Sequence, residues 1–399
     1  MIAHFPSSPV TQLQTVFPFG ARDEREHQHG YAHLCEHLFF SDTTIFGNYD
    51  ALLAPYGAES NAWTDHDHTS FQVWGPAGCE ELFLWLESAR FAHLPTELDA
   101  ALIEVEKAVV LNELDEEYHS APFGQLWLQR SQHLFGSAHP YGHPVIGDAQ
   151  SISNADKKSI TRFMRRGYVP GNAKLMVSGS TAPEKVVAWA ERYWGDFNVA
   201  APQRQSVAPP PSKNRDRVLV RKEDALPQFS IDWLMNKPTM KERATQVICA
   251  EALGAERYGK LIHQFELEQA LTSGLSISVE HKDLCSIFSI GGAPITHSLD
   301  QTIGMLLNAL NELMRSGIGP EILSQTKRNI RYQWTQMKTE PLTYSEELVL
   351  WHLLECSSPH SHQLELLESV TSADICRFLS VLSEQEPVIC KGLSVRTQS

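Results

Sequence analysis

The residues of this sequence best suited to chemistry lie in one short run, GYAHLCEHLFF, at Gly30–Phe40. His33 and His37 are four positions apart, so on a helix both imidazoles leave one face about one turn apart. Two neutral imidazoles and one further ligand, with a fourth position left open, form the usual donor set of hydrolytic zinc. Glu36 borders the same face, where a carboxylate can take a proton from water. The spacing therefore predicts a zinc-dependent hydrolytic site, although a solvated amphipathic helix without metal would carry the same string.

Such a site needs a third protein ligand, and a second helical pattern at 96–118 offers Glu104, Glu106 and Glu113. Glu106 and Glu113 lie seven positions apart, which places them two turns along one helical face. The residues at 108–111 are Ala, Val, Val and Leu, and we expect them to be buried. An acidic side chain in so apolar a run favours a charged partner, and a metal ion is one. The third ligand is therefore expected among these glutamates.

The elements that must position these residues follow one pattern in both halves of the chain. Each half opens with a strand-like run, continues with a helix beside a glycine and further strands, and has long amphipathic helices. The expected strands are 11–19, 69–74, 217–220, 228–233, 275–280 and 285–291, and the expected long helices are 79–91, 96–118, 300–316 and 320–336. Strands and helices with few β-α-β alternations indicate an α+β fold with helices on one face of each sheet. The likeness of the halves suggests an internal duplication.

The clearest boundary is the run AAPQRQSVAPPPSKNRDR, whose Pro triplet at 209–211 lies among polar residues. A Pro-rich, polar and aperiodic stretch is typical of an extended interdomain linker. With 399 residues the chain is long enough for two domains of about 200 residues each. We expect a zinc-bearing catalytic domain at 1–200, a linker at 201–216 and a homologous C-terminal domain at 217–399.

Composition excludes several classes of protein. A net charge of −15 argues against nucleic-acid binding, because the phosphate backbone attracts basic surfaces. No apolar run reaches the roughly 20 residues that a membrane span needs. The seven cysteines include no CxxC pair, and the first 20 residues contain no Lys or Arg. Together these features predict a soluble cytoplasmic protein with reduced thiols and no membrane partner.

Beyond the HxxEH motif of His33–His37, several segments resemble the pitrilysin/insulinase family of inverted-motif zinc peptidases. The resemblance is to short-chain members related to mitochondrial processing peptidase and to bacterial two-subunit peptidases. The further matching segments are Gly20–Glu24, Gly57–Phe71, Glu106–Glu113, His139–Gly147 and Tyr168–Ala173. They cover most of residues 11–197, whereas 217–399 matches only in general pattern.

The resemblance implies a role for each matched residue. His33, His37 and Glu113 would bind one Zn²⁺ per chain, Glu36 would be the general base, and Glu106 would support the ligand shell. Residues Asn61 and Ala62 would lie on an edge strand that pairs with the backbone of a peptide substrate. In the family, two pairs of such domains enclose a chamber of peptide size, so the expected activity is endopeptidase cleavage of unfolded peptides.

One departure from the family concerns the C-terminal half, which in active members supplies an Arg and a Tyr seven residues apart. Aligning Leu253–Gly274 places Glu266 and Ser273 at those positions. A carboxylate offers no donor to an oxyanion, and a serine is shorter than a tyrosine. We therefore predict the catalytic subunit of a heterodimer whose homologous partner carries the Arg/Tyr pair. The alternatives are a self-sufficient homodimeric peptidase and a non-catalytic structural subunit on the same fold.

Overall fold

The computed structural model describes residues 1–40, 47–197, 204, 207, 217–223, 226–353 and 360–395. No helix within these ranges is both long and apolar enough to cross a membrane.

The strands form two five-stranded sheets with the same strand order. In chain order they are β1 Ile2–His4, β2 Val10–Phe17, β3 Glu59–Thr64, β4 Thr69–Pro76, β5 Lys174–Gly179, β6 Arg217–Glu223, β7 Gln228–Asn236, β8 Thr272–His281, β9 Cys285–Pro294 and β10 Val388–Val395. The first sheet has the order β1-β5-β2-β4-β3 and the second β6-β10-β7-β9-β8. In each sheet one edge pair is parallel, β1 with β5 and β6 with β10, and the other pairs are antiparallel. The predicted α+β fold of two similar halves is therefore confirmed.

Helices make up most of the remaining regular structure. They are α1 Tyr31–Phe40, α2 Tyr49–Leu53, α3 Glu80–Glu97, α4 Ala100–Leu114, α5 Gly124–Phe135, α6 Ala149–Ser153, α7 Lys157–Gly167, α8 Pro183–Trp194, α9 Met240–Gly254, α10 Lys260–Ile262, α11 Leu299–Ser316, α12 Pro320–Met337, α13 Pro341–Leu353, α14 His360–Glu368 and α15 Ser372–Ser383.

The predicted helix at 96–118 is three elements in the structure. Residues 96 and 97 end α3, and the Asp99 carboxylate caps α4 by accepting a hydrogen bond from the Ala101 amide. After α4 the chain continues as a π-helical turn at Asp115–Ser120. The expectation of one helix was wrong because Asp99 offers an N-terminal cap inside the apolar pattern.

The chain forms two compact units whose segments alternate along the sequence. Unit 1 contains Met1–Glu116, His143–Val207 and Thr335–Ser357, and unit 2 contains Glu117–Gly142, Ala208–Trp334 and Ser358–Ser399. The α5 segment therefore belongs to unit 2, and the late helix α13 belongs to unit 1. The predicted domains 1–200 and 217–399 assign α5 to the first half and α13 to the second. The structure places each of these helices in the other unit, and we refer to this arrangement as the segment exchange. The predicted linker 201–216 lies outside the described residues except for Arg204 and Val207.

Apolar packing holds each exchanged helix within its unit. In unit 1, Val349 of α13 packs in a buried cluster with Val16 and Met176 of the first sheet. In unit 2, Leu126 of α5 packs in a buried cluster with Ile287 of the second sheet. Burying one such side chain contributes about 1.5–3 kcal/mol, so these helices are integral parts of their units.

An aromatic cluster fixes α1 in unit 1. The Phe39 ring, 1% exposed, lies 5.2 Å from Phe71 of β4, 4.8 Å from Phe91 of α3 and 5.4 Å from Tyr168, measured between centroids. Edge-on and tilted aromatic contacts at these distances add about 0.5–1.5 kcal/mol each beyond area burial. The orientation of α1 is therefore set by packing beneath the helix.

Candidate metal centre

The N-terminus of α1 is built around a glycine. Gly30 has φ +96°, and a Cβ there would lie 2.6 Å from the Ile146 carbonyl oxygen, so a capping side chain cannot stand at this position. The Glu24 carboxylate caps the helix instead, accepting from the Gly30 amide at 3.0 Å and the Ala32 amide at 2.8 Å. Burial raises the pKa of Glu24 well above its usual range, although the two backbone N–H groups lower it.

The two faces of α1 differ in burial. The residues that face the core are Tyr31, Ala32, Leu34, Cys35, Leu38 and Phe39. His33, Glu36 and His37 are half-buried on the other face. The helical spacing of the motif therefore presents its three polar side chains together.

Three groups converge above that face. The His33 Nε2 atom lies 3.8 Å from Glu113 Oε2, and the His37 Nε2 atom lies 3.5 Å from the same oxygen. One ligand atom from each of these residues lies within 4.8 Å of the other two. The two imidazoles meet edge to face, with 4.8 Å between ring centroids. The structure thus brings together the three residues that were predicted to be ligands.

Glu106 contacts the side of His37 that faces away from Glu113. Its Oε2 atom lies 3.5 Å from the Nδ1 atom of His37, which is the nitrogen that does not face Glu113. A carboxylate on the second nitrogen of an imidazole fixes its tautomer and leaves the other nitrogen free to bind. Glu104, the third candidate, pairs with Lys107 at 2.8 Å and is 67% exposed, so its contact lies away from the histidines.

The protonation preferences of the two histidines differ. Burial, together with the nearby His37, lowers the pKa of His33 to about 4, so this imidazole is neutral at neutral pH. Burial also lowers the pKa of His37, but Glu106, Glu113 and Glu36 outweigh burial and the net pKa is raised. The contact with Glu106 explains this difference, because it favours the protonated ring.

The prediction that residues 108–111 are buried was wrong. Of the four residues at 108–111, Val110 is fully buried, whereas Val109 is 41% exposed and Ala108 is also exposed. The Glu113 side chain itself is 36% exposed. An apolar sequence run on a surface helix does not imply burial, so the argument from an apolar setting fails. The position of Glu113 beside both imidazoles supports its candidacy instead.

The donor set fits a zinc ion. Tetrahedral zinc with bonds of about 2.0–2.1 Å to nitrogen separates neighbouring ligand atoms by about 3.4 Å. The two Nε2-to-Glu113 distances of 3.5 and 3.8 Å are close to that separation. Two nitrogens and one carboxylate oxygen are the ligand types of hydrolytic zinc, and Glu106 on His37 supplies the supporting contact such sites use.

Glu36 is held by a strand that the motif does not include. The Thr64 hydroxyl, on the last residue of β3, donates a 2.5 Å hydrogen bond to Glu36 Oε2. Burial raises the pKa of Glu36, while the Thr64 hydroxyl and His37 lower it. Sequence analysis did not single out Thr64. The sequence feature that could have identified Thr64 is strand alternation, which places the side chains of residues 62 and 64 on the same face of β3.

Residues Asn61 and Ala62 lie on β3, an outer strand of the first sheet. They pair with Gln72 and Phe71 of β4 on one side. The Asn61 side chain is exposed, and its Oδ1 atom accepts from the Ala62 amide at 2.9 Å. Both residues thus lie on an outer strand of the sheet, and this strand also carries Thr64.

The two positions aligned with the Arg/Tyr pair lie in unit 2. Glu266 belongs to a π-helical turn at His263–Glu268, and its carboxylate accepts from the Leu275 amide at 2.5 Å. Ser273 is exposed near the start of β8, beside a register shift in the pairing with β9. Glu266 therefore has a structural partner of its own, the Leu275 amide.

Comparison with known proteins yields two family models. The model described as Insulinase (Peptidase family M16) matches residues 1–124, and the model described as Peptidase M16 inactive domain matches residues 154–330. Together they cover both halves of the chain, and the first contains α1 and α4.

Individual relatives agree with these models. The chain is similar to an uncharacterized zinc protease of Mycobacterium leprae, with 30% identity over 54% of this chain and 47% of that protein. It is also similar to the beta subunit of the mitochondrial-processing peptidase of Neurospora crassa, with 25% identity over 49% of this chain and 41% of that protein. The matches thus span less than half of these relatives' lengths. A crystal structure of a protease from Helicobacter pylori shares the fold, with TM-score 0.89, 17% identity and coverage of 98% and 95%.

Proposed function

Because this chain belongs to the insulinase family of peptidases, family M16, we propose that it is a zinc-dependent endopeptidase that cleaves unfolded peptides. The observation that carries the proposal is the convergence of His33, His37 and Glu113 within 4.8 Å. These three residues would hold the zinc ion. Glu106, 3.5 Å from His37, would fix the orientation of that ligand.

The proposed mechanism assigns one task to each neighbouring side chain. Zinc, when bound, supplies Lewis-acid polarisation and lowers the pKa of water. Glu36 takes the proton from the attacking water and passes it to the leaving amine. The raised pKa of Glu36, caused first by burial, suits a carboxylate that must accept and then release a proton near neutral pH.

The proposed substrate is an extended peptide backbone. Among the described strands, β3 pairs only with β4, so its other edge would present backbone groups to which a peptide strand can add. The exposed Asn61 and the half-buried Ala62 lie on this strand. An enclosed chamber would restrict cleavage to unfolded peptides, so a stably folded protein of ordinary size should not be cut.

We further propose that the active form is a heterodimer located in the cytoplasm. Glu266 and Ser273 offer no cationic or phenolic donor, and losing one oxyanion donor costs about 10²–10³ in rate. A homologous partner chain with the Arg/Tyr pair would supply such donors. The cytoplasmic location is supported by the cysteines, which are free wherever the structure describes them.

The test of the peptidase proposal compares two substitutions in α1. Glu36→Gln should abolish peptide hydrolysis and leave zinc bound, because it removes the base and none of the ligands. His37→Ala should lower zinc content, measured by atomic absorption after dialysis. Equal loss of zinc in both variants would overturn the assignment of base and ligand. A wild-type chain that binds no zinc would support a non-catalytic structural subunit instead.

A second experiment separates the heterodimer from the homodimer. The purified chain alone should bind zinc and cut an unstructured peptide slowly, and the addition of the partner should raise turnover without changing the zinc content. Full activity of the isolated chain would contradict the heterodimer and favour the homodimeric peptidase.

A further inference from the structure

The clearest unassigned contact at the metal centre links the edge strand β3 to Glu36. The Thr64 hydroxyl donates a short hydrogen bond to Glu36 Oε2, with 2.5 Å between the two oxygens. Within the described residues, Thr64 is the side chain that donates a hydrogen bond to the Glu36 carboxylate. One oxygen of Glu36 is thus engaged, and the other is left to receive a proton.

The position of Thr64 is itself well fixed. It is the last residue of β3 and pairs with Thr69 of β4, and the Thr69 hydroxyl is buried in contact with Tyr168 at 2.9 Å. The side chain is half-buried, and its β-branch restricts rotation about χ1. A stiff donor on a supported strand can hold a carboxylate that is otherwise free to turn about its own side-chain torsions.

We propose that Thr64 is a positioning residue that aims the Glu36 carboxylate at the attacking water. This inference rests on the proposed peptidase function and adds a link to it. The strand expected to pair with the peptide is therefore also the strand that holds the base.

The test uses a matched pair of substitutions. Thr64→Val keeps the shape and the β-branch but removes the hydroxyl, whereas Thr64→Ser keeps the hydroxyl and loses one methyl group. Supporting contacts of this kind are typically worth about 10–100-fold. Thr64→Val should therefore lower kcat about 10–100-fold, with KM and zinc content near the wild-type values. Thr64→Ser should stay within about threefold of the wild-type kcat.

A binding measurement gives a readout that does not depend on turnover. A simple peptide hydroxamate should bind the zinc-loaded protein through the metal, with its N–O–H group donating to Glu36. Calorimetry should show about tenfold weaker hydroxamate binding to Thr64→Val and unchanged binding to Thr64→Ser. This comparison can be made even if the isolated chain cuts peptides slowly.

The outcomes separate this inference from the proposed function. Equal kcat and equal hydroxamate affinity in Thr64→Val and the wild type would overturn the role of Thr64 while leaving the peptidase intact. Equal losses in the Val and Ser variants would also overturn it, because they would point to the methyl packing. Zinc and hydroxamate binding with no peptide cleavage, with or without a partner chain, would refute the peptidase and leave the Thr64 comparison measurable. Failure of the wild type to bind zinc would refute both.

Discussion

A buried ion pair between α5 and β7 allows a quantitative test of how much the contacts of α5 stabilise unit 2. The Arg130 guanidinium on α5 donates to Asp232 Oδ1 on β7 at 2.7 Å. Ser289 donates to the same oxygen and Ser230 to Oδ2, each at 2.6 Å. The Asp232 side chain is 0% exposed and that of Arg130 is 21% exposed. The perturbation is Arg130→Met, which keeps the apolar stem and removes the charge.

Removing one partner of a buried pair leaves an uncompensated charge, which costs about 3–5 kcal/mol. The two serine hydroxyls still satisfy Asp232, so we expect the lower end of that range, about 3 kcal/mol. That is about a 150-fold change in the ratio of folded to unfolded protein. Asp232→Asn in the Arg130→Met background should recover part of the loss, because the amide carries no charge.

The assay is urea unfolding, with amide hydrogen exchange of β7 to locate the change in unit 2. The control is Arg331→Met, which breaks a 2.6 Å pair with Glu368 whose arginine is 58% exposed. Exposed pairs contribute at most about 1 kcal/mol, so this variant should change stability little. The reasoning is refuted if Arg130→Met costs no more than Arg331→Met, or if the Asn substitution recovers nothing.

Three further predictions concern single residues. Glu106→Gln should weaken zinc affinity about 10–100-fold, and Glu113→Gln should weaken it far more; equal and negligible effects in a metal competition titration would place the third ligand elsewhere. Burial lowers the pKa of His281 from 6.5 to about 3 in the folded state. The unfolded chain therefore takes up a proton at this histidine before the folded chain does, and the free energy of unfolding falls by up to about 1.4 kcal/mol per pH unit as the pH drops below 6.5. His281→Gln should flatten that slope in urea unfolding, and an unchanged slope would contradict the prediction. Glu24→Gln should destabilise α1 by about 1–3 kcal/mol, because the amide group cannot accept from both Gly30 and Ala32; undiminished protection of the α1 amides in hydrogen exchange would show that the cap is dispensable.

The fold and much of the candidate site could be predicted because both depend on local patterns. The helical period placed His33 and His37 on one face of α1, and strand alternation anticipated six of the ten strands. Glu113 was reached through the resemblance to a family, whereas the apolar-burial argument for it was wrong. Solvent exposure depends on what packs against a helix, and the residues of α4 do not encode this.

Other features lay beyond sequence reasoning because they join distant parts of the chain. Thr64 meets Glu36 across 28 positions, and no local pattern pairs a strand hydroxyl with a helix carboxylate. The places of α5 and α13 depend on clusters whose members are separated by more than 150 residues. A boundary read from a Pro-rich run divides the chain in sequence but cannot reveal which unit each helix completes.

The segment exchange also has a consequence for folding during synthesis. Domains generally fold as they emerge, the N-terminal one first. Val349, which packs with Val16 and Met176, is translated only after nearly all strands of both sheets. The unit that carries the candidate zinc residues therefore gains this packing contact only after about seven-eighths of the polypeptide has been made. A nascent chain that stalls before that point carries His33 and His37 in a unit that still lacks α13.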